Sequence, residues 1–470
     1  MSTVVDHWID GTTVLGRDHH DIRGTVDNSV HVRVAVGSAK EVALATEAAS
    51  RAAADWRWLD GPTRGRILRA IADRIREQSE ELAAIEIADT GKTPATAAAE
   101  IEISAQYFEF YGTLVNLPVG DVLDVARDQH VYTKREPFGV VGVITPWNLP
   151  LNQAARAIAP ALATGNTLVC KPAEVTSQST VRLAQIAEGC GLPSGVLNVV
   201  CGSGSVVGEA IVRDPRVRKV AFTGSVGVGR AIGQIAADRL IPLTLELGGK
   251  SACIVFDDAD LDRAAEEAVR AFVGNAGQVC SSGTRLLVQD TIHDRFVERV
   301  SELVREKSPG RDYGPMITWP QFRTVQGYLT EAHQSGLTPS VGGRIENRDP
   351  SSGAYVPATV YPDVAPDNKL VREEIFGPVL VTTPFSGEDE ALRLANDSDF
   401  GLVGAVFTQD ISRAFRVAER IEAGQIGVNT WVTGAVETPF GGCKASGYGR
   451  EKGIEALHHY SQMKSVIMRL

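Results

Sequence analysis

The chain has 470 residues, roughly three folding units at about 150 residues each, which excludes a peptide module. Hydrophobic residues make up 43% and charged residues 22%, values of an ordinary globular protein that exclude a disordered or low-complexity chain. With 47 Lys and Arg against 58 Asp and Glu, a net charge of −11, and no dense basic cluster, nucleic acid is not an expected partner.

The N-terminal stretch MSTVVDHWIDG lacks a basic segment followed by an apolar one. No apolar run reaches the eighteen or so residues that span a bilayer, so the expectation is a cytoplasmic protein with no membrane partner. Helical patterns dominate the first hundred residues or so. Ser38 and Glu41 form a capping box that opens an alanine-rich helix to about Arg57. Thr63 to Thr90 places Ile67, Ile71, Ile75 and Leu82 on one face of a second helix ending at Gly91, and a third follows Pro94 to Tyr111. These read as packing helices without chemistry.

From Val140 the pattern changes to short valine- and isoleucine-rich runs separated by Gly/Pro punctuation and helix-length segments. The runs are Val140–Ile144, Thr167–Cys170, Leu197–Cys201, Lys219–Phe222, Leu243–Leu247 and Ala252–Phe256. Such alternation predicts a parallel sheet covered on both faces, with ligands at the carboxyl ends of its strands. A second α/β unit is expected from about Asp258 to the glycine-rich stretch near Gly441. Arg127 to Glu136 is polar and β-prone, and Ser465–Leu470 reads as another short strand; they pair with each other or with a neighbouring subunit.

Six cysteines stand at 170, 190, 201, 253, 280 and 443, with no C-x-x-C pair and no H-E-x-x-H in the chain, so no metal site is expected. Cys170, Cys190, Cys201, Cys253 and Cys443 read as small buried hydrophobes. Cys280, in Gly-Gln-Val-Cys before two serines, has the glycine and polar setting of a nucleophile. Three glycine triplets fit G-x-G-x-x-x-G, a spacing shared by turns and phosphate cradles. Phe222-Thr223-Gly224-Ser225 has the better context, closing a strand and opening a helix where free backbone N–H groups attract a pyrophosphate. Lys171 and Glu174 follow a strand run as either a solvated ion pair or a ribose-binding pair. Asn148 follows another, a neutral amide donor of the kind an oxyanion hole uses. Glu246, flanked by leucines, is a candidate general base whose burial raises its pKa.

The segments TPWNLP (145–150), KPAE (171–174), FTGS (222–225), LELGGK (245–250), GQVC (277–280), EEIFGPV (373–379) and FGGCKASGYGRE (440–451) together resemble the NAD(P)-dependent aldehyde dehydrogenase superfamily, in its hydrolytic branch, over essentially the whole chain. The resemblance implies an α/β fold: a Rossmann-type cofactor domain, a second α/β catalytic domain and a small β oligomerisation element. The expected bounds are 1–117 with 139–248, then 249–445, and 118–138 with 446–470. It implies Cys280 as nucleophile, Asn148 as oxyanion donor and Glu246 as the base that hydrolyses a thioester. It implies a cofactor site at Ile144, Thr145, Pro146, Trp147, Gly204, Gly208, Phe222, Thr223, Gly224, Ser225, Val228 and Leu247. Glu374 and Phe376 match the nicotinamide-ribose side, and Lys171 and Glu174 the adenosine ribose. Because a carboxylate there repels a 2′-phosphate, NAD is expected over NADP. A homodimer or homotetramer is also implied.

Leu149, Gly274 and Gly434 stand where many relatives carry phenylalanine, so the substrate pocket, with Phe440, is expected to be wide. Arg156 either faces an aromatic, long apolar or distally anionic aldehyde, or turns into an internal salt bridge. A thiol esterase using Cys280, Asn148 and Glu246 without redox turnover, and a non-catalytic nucleotide-binding protein, are the rival readings; neither explains all the segments.

Overall fold

A pair of reciprocal hydrogen bonds starts the first long helix, Ala39–Trp56: the Ser38 N–H donates to the Glu41 carboxylate at 2.9 Å, and the Ser38 hydroxyl accepts from the Lys40 N–H. The computed structural model describes residues 3–345, 350–431 and 434–470. The single helix expected from Thr63 to Thr90 is two, Gly61–Glu77 and Ser79–Thr90. The chain leaves helical geometry at Gln78 (φ −106°, ψ 20°), and the second helix begins with Glu80 and Glu81 where the helix dipole favours acids. The third is Pro94–Thr113, its Thr93 side chain accepting from the Thr96 N–H.

Helical patterning alone misses the first 35 residues, which hold five strands: Thr3–Val5, His7–Ile9, Thr12–Val14, His19–Arg23 and Val30–Ala35. Three of them have only three residues, too few to display alternation. Asp10 and Gly11, both with positive φ, make the tight turn between the second and third.

The first large sheet has eight strands in the order Gly447–Tyr448, Leu243–Glu246, Val217–Thr223, Val140–Ile144, Thr167–Lys171, Leu197–Val199, His7–Ile9, Thr12–Val14. Its five central strands are parallel. Chain order runs outward in both directions from Val140–Ile144, so the gap between that strand and Val217–Thr223 is a topological switch point, where ligands of open α/β sheets bind. The second sheet is parallel throughout and has six strands, with Ala252–Val255 and Arg285–Gln289 adjacent near its centre.

Gln129–Pro137 and Ser461–Arg469 pair with each other, antiparallel from Ser461 against Pro137 to Arg469 against Gln129, with Val122–Leu123 on the far edge. The second strand is longer than its sequence signal, Ser465–Leu470, because paired backbone carries the pattern through polar residues. All six thiols are free; Cys170, Cys201 and Cys253 are buried as expected. Cys190 and Cys443 are half-buried, each Sγ donating to a backbone carbonyl, of Ala70 and Gly401 respectively, at 3.4 Å.

Arg285 joins the second sheet to its surroundings. Its buried guanidinium donates to the carbonyls of Lys250, Leu394 and Ala395, each at 2.8 Å. Arg285→Met leaves those carbonyls without a donor. It should lower the urea unfolding midpoint by the equivalent of about 3 kcal/mol, the scale for stranding buried polar groups.

Candidate active site

Parallel register lines up the first set of residues. Ile144 stands opposite both Lys171 and Phe222, and Thr223 opposite Glu246, so four strand ends meet in one row. The Thr145 N–H donates to the Lys171 carbonyl at 3.1 Å, carrying the pairing one residue beyond the strand. The same effect corrects one expectation: the Gly224 N–H is not free, because it donates to the Glu246 carbonyl at 3.0 Å. Ser225 caps the helix Val226–Arg239, its side chain accepting from the Val228 N–H at 3.5 Å. Val228 itself is half exposed on that first turn.

At the switch point lies a cavity of about 310 Å³. Pro146, Trp147, Thr223, Gly224, Ser225 and Leu247 line one side, and Glu374 and Phe376 the other. The Trp147 and Phe376 rings meet edge to face, 5.4 Å between centroids. Glu374 accepts the Gly249 N–H at 3.1 Å; burial raises its carboxyl to about 7 against the opposing pull of that N–H and of Lys250. Lys171 is buried, its ammonium pKa lowered by desolvation while Glu174 works the other way. Glu174 is bound to the His20 imidazole, Oε1 to Nδ1 at 2.7 Å. The turn Gly204–Gly208 passes close by: a Cβ added at Gly208 would sit 3.7 Å from Ile144 and from Lys171. None of Ile144, Thr145, Lys171, Glu174, Gly204, Gly208 and Val228 lines the cavity itself; Ile144, Thr145, Lys171 and Gly208 cluster at the strand edge.

A second cavity, of about 260 Å³, is lined by Leu149, Arg156, Gly434 and Phe440. Cys280 borders both cavities, as does Gln153. Gly274 does not belong to either; it is exposed at the end of the helix Leu261–Val273 and lines a separate surface cleft. The reason is the turn that follows, in which Asn275, Ala276 and Gly277 all have positive φ and swing the chain back toward Cys280. A Cβ on Gly277 would strike the Gly377 carbonyl, so this approach needs glycine.

Three groups converge on the thiol. Asn148 Nδ2 donates to the Gln278 carbonyl at 2.8 Å with one of its two hydrogens, leaving the amide beside Cys280 with a second to give. Glu246 is buried and, among the described residues, neither carboxylate oxygen has a hydrogen-bond partner. Gly441 (φ +152°) lets the backbone pass it, since a Cβ there would come within 2.6 Å of Glu246 Oε1. Arg156 lies on the helix Pro150–Ala163, which is buried along its whole length, and turns inward. It forms an ion pair with Glu451, donates to Thr223 Oγ1 at 3.3 Å and stacks over Phe440 with 5.3 Å to the ring centroid. Of the two fates open to Arg156, the internal salt bridge is the one realised.

Burial pushes the Cys280 thiol up to about 12; Arg156 opposes the rise, and Glu246 and Glu374 add to it. Burial and Glu451 raise Glu246 well above the usual carboxylate range, with Arg156 and Arg450 pulling it back. Burial alone would lower the Arg156 pKa, but Glu451, Tyr107, Glu246 and Cys280 together outweigh it and keep the guanidinium charged. Sequence reasoning missed Gln153, Tyr107, Glu451 and Lys452, all at this centre. Glu451 closes a recognised segment and was within reach; Tyr107 sits in a helix with no local signal of chemistry.

A family model described as the Aldehyde dehydrogenase family matches residues 12–466. The chain belongs to the aldehyde dehydrogenase family. Among solved structures, this aldehyde dehydrogenase is similar to betaine aldehyde dehydrogenase from Staphylococcus aureus in complex with NAD+. That match has 38% identity and a TM-score of 0.96, and covers 99% of this chain and 95% of the other. It is also similar to P. syringae indole-3-acetaldehyde dehydrogenase, solved as a cysteine-to-alanine mutant with NAD+ and IAA. Here the identity is 34% and the TM-score 0.97, covering 100% of this chain and 97% of that one.

Because the thiol is raised by burial, its reactive thiolate is scarce at neutral pH. Iodoacetamide labelling of Cys280 should therefore quicken about tenfold per pH unit through the mildly alkaline range. Arg156→Ala removes the opposing cation and should slow labelling about tenfold at any one pH in that range. Mass spectrometry of the Cys280 peptide measures both.

Proposed function

We propose that this aldehyde dehydrogenase oxidises an aldehyde to the free carboxylic acid, with NAD as hydride acceptor. The observation that carries the reading is that Cys280 borders both cavities: one thiol faces a nucleotide-shaped site on one side and a substrate-sized pocket on the other. The residues present fit NAD. Glu174 near Lys171, and Glu374 in the cavity wall, offer a carboxylate for each ribose diol, and Ser225, which opens a helix, lines the same cavity as Glu374. Glu174 also disfavours a 2′-phosphate, so NADP is the poorer cofactor. When bound, NAD accepts the hydride that leaves the substrate carbon.

The protein's own groups do the rest. Cys280 attacks the carbonyl carbon as thiolate, and the oxygen that gains charge is held by the second Asn148 N–H and the Cys280 backbone N–H. Loss of hydride leaves a thioester on Cys280. Glu246 takes a proton from water, which attacks the thioester and releases acid and thiol. Its raised pKa makes it a stronger base than an exposed carboxylate, and Arg156 and Arg450 keep a fraction ionised.

The pocket suits an aromatic or bulky apolar aldehyde. Leu149 and Gly434 leave its walls open, and Tyr107 supplies flat apolar surface. A quaternary ammonium group is a poor fit: the Phe440 face is already taken by Arg156 and by Lys452, whose Nζ lies 5.6 Å from the ring centroid, and Glu100 on that wall is held by Lys92. The proposal extends to residues 1–117 with 139–248 as the NAD domain, 249–445 as the catalytic domain, and 118–138 with 446–470 as the element joining a homodimer or homotetramer in the cytoplasm.

Purified protein with NAD and benzaldehyde should produce NADH absorbance; none with any of a panel of aldehydes defeats the reading. Glu246→Gln should keep the first turnover but cut kcat by roughly 10²–10⁴-fold, visible as a burst of one NADH per site followed by a slow phase. In kcat/KM, indole-3-acetaldehyde and benzaldehyde should exceed betaine aldehyde by at least about tenfold, a modest figure for a repelled charge, and Lys452→Met should narrow the gap. Preference for betaine aldehyde would show the pocket reading to be wrong.

A further inference from the structure

Behind Asn148 lies a charge cluster that the reaction scheme does not use, one member of which, Glu100, also reaches the wall of the substrate-sized pocket. Lys92 is buried and its Nζ donates to Glu86 at 3.3 Å and to Glu100, two carboxylates that are themselves buried. Glu86 comes from the helix Ser79–Thr90 and Glu100 from the helix Pro94–Thr113, with Lys92 in the turn between them. Burying an ammonium with two carboxylates has a large desolvation cost, and an apolar trio of the same volume would hold the helices together as well or better. The contacts the cluster makes outward give it another use.

Those contacts end on the oxyanion loop. Lys92 Nζ reaches the Asn148 carbonyl at 3.5 Å, and Glu86 Oε1 accepts the Leu151 N–H at 3.0 Å, so both sides of the turn from Asn148 into its helix are held. The same Asn148 carbonyl accepts from Asn275 Nδ2 at 3.2 Å, while the Asn148 side chain donates to the Gln278 carbonyl. Gln278 is anchored in turn, its Nε2 donating to the Pro315 carbonyl at 3.2 Å and its Oε1 accepting the Ile317 N–H at 2.8 Å. Asn148 is thus fixed at its backbone by the helical layer and at its amide by the Cys280 loop.

We infer that Lys92 is a positioning residue: held between Glu86 and Glu100, it clamps the Asn148 carbonyl and thereby aims the Asn148 amide at the oxyanion formed on Cys280. This rests on the reading of Asn148 as an oxyanion donor given above. An amide that can pivot loses much of its value, since such donors act through fixed geometry.

The test uses 4-nitrophenyl acetate, whose acyl group transfers to the Cys280 sulfur as nitrophenolate leaves, with no cofactor needed. Rates of the nitrophenolate burst are compared in wild type, Lys92→Met, Asn148→Ala and the double variant, with NADH bursts from benzaldehyde as a parallel readout. The expectation is a ten- to hundredfold loss for Lys92→Met alone and a further loss of less than twofold when it is added to Asn148→Ala. The KM for NAD should stay unchanged. Glu86→Gln, which keeps the shape and the bond to Leu151 but removes a charge holding Lys92, should give a smaller loss with the same dependence on Asn148, and serves if Lys92→Met does not fold. An equal loss in both backgrounds, or no loss in either, overturns the inference. If Asn148→Ala itself leaves the burst untouched, it is the oxyanion reading that fails.

Discussion

The site depends on parallel strand pairing. A parallel ladder fixes which residues end side by side, and here it sets Lys171, Ile144 and Phe222 in one row and Thr223 beside Glu246. Residues separated by up to about a hundred positions along the chain reach one edge without any direct attraction between their side chains. The reversal of strand order beside Val140–Ile144 then splays the connecting segments apart, and the first cavity opens at that gap. The second sheet delivers Cys280 across that gap through a turn with three positive φ angles in succession.

Burial of charge is the second recurring theme. Two buried cations near the centre have partners: Arg156 has Glu451, and Lys92 has Glu86 and Glu100. Glu246 and Lys250 do not: neither Glu246 oxygen nor the Lys250 ammonium is hydrogen-bonded among the described residues, and an uncompensated buried carboxyl is driven toward its neutral form. That is a cost in stability where it occurs and an asset for a group that must pick up a proton.

How much of this was legible beforehand varies by residue. The capping box at Ser38 and the strand Val140–Ile144 were read to the residue, because each rests on interactions local in sequence. Asp10 and Gly11 were a usable hairpin signal that helical patterning nearby obscured. The break at Gln78 carries no Gly or Pro, and the apolar face continues across it, so periodicity alone runs through it. Gly274 was placed in the pocket because many relatives carry phenylalanine at its position, and a turn three residues long took it elsewhere. Gly224 was expected to offer a free N–H, and a bond that exists only once two strands lie side by side removed it.

By itself the sequence determined the family and the central strands, and it singled out one thiol, one carboxylate and one amide as candidates, because these follow from local spacing and from segments that retain their order. What it left open was partnership. Arg156 could bind a substrate or an internal acid, and only the packing of its fully buried helix against Glu451 decided the matter. Lys92 was one more polar residue in a helical turn until folding set it behind Asn148. The physical reason is the same in both cases: a long charged side chain can reach many groups, and which one it meets depends on distances between elements that no local pattern encodes.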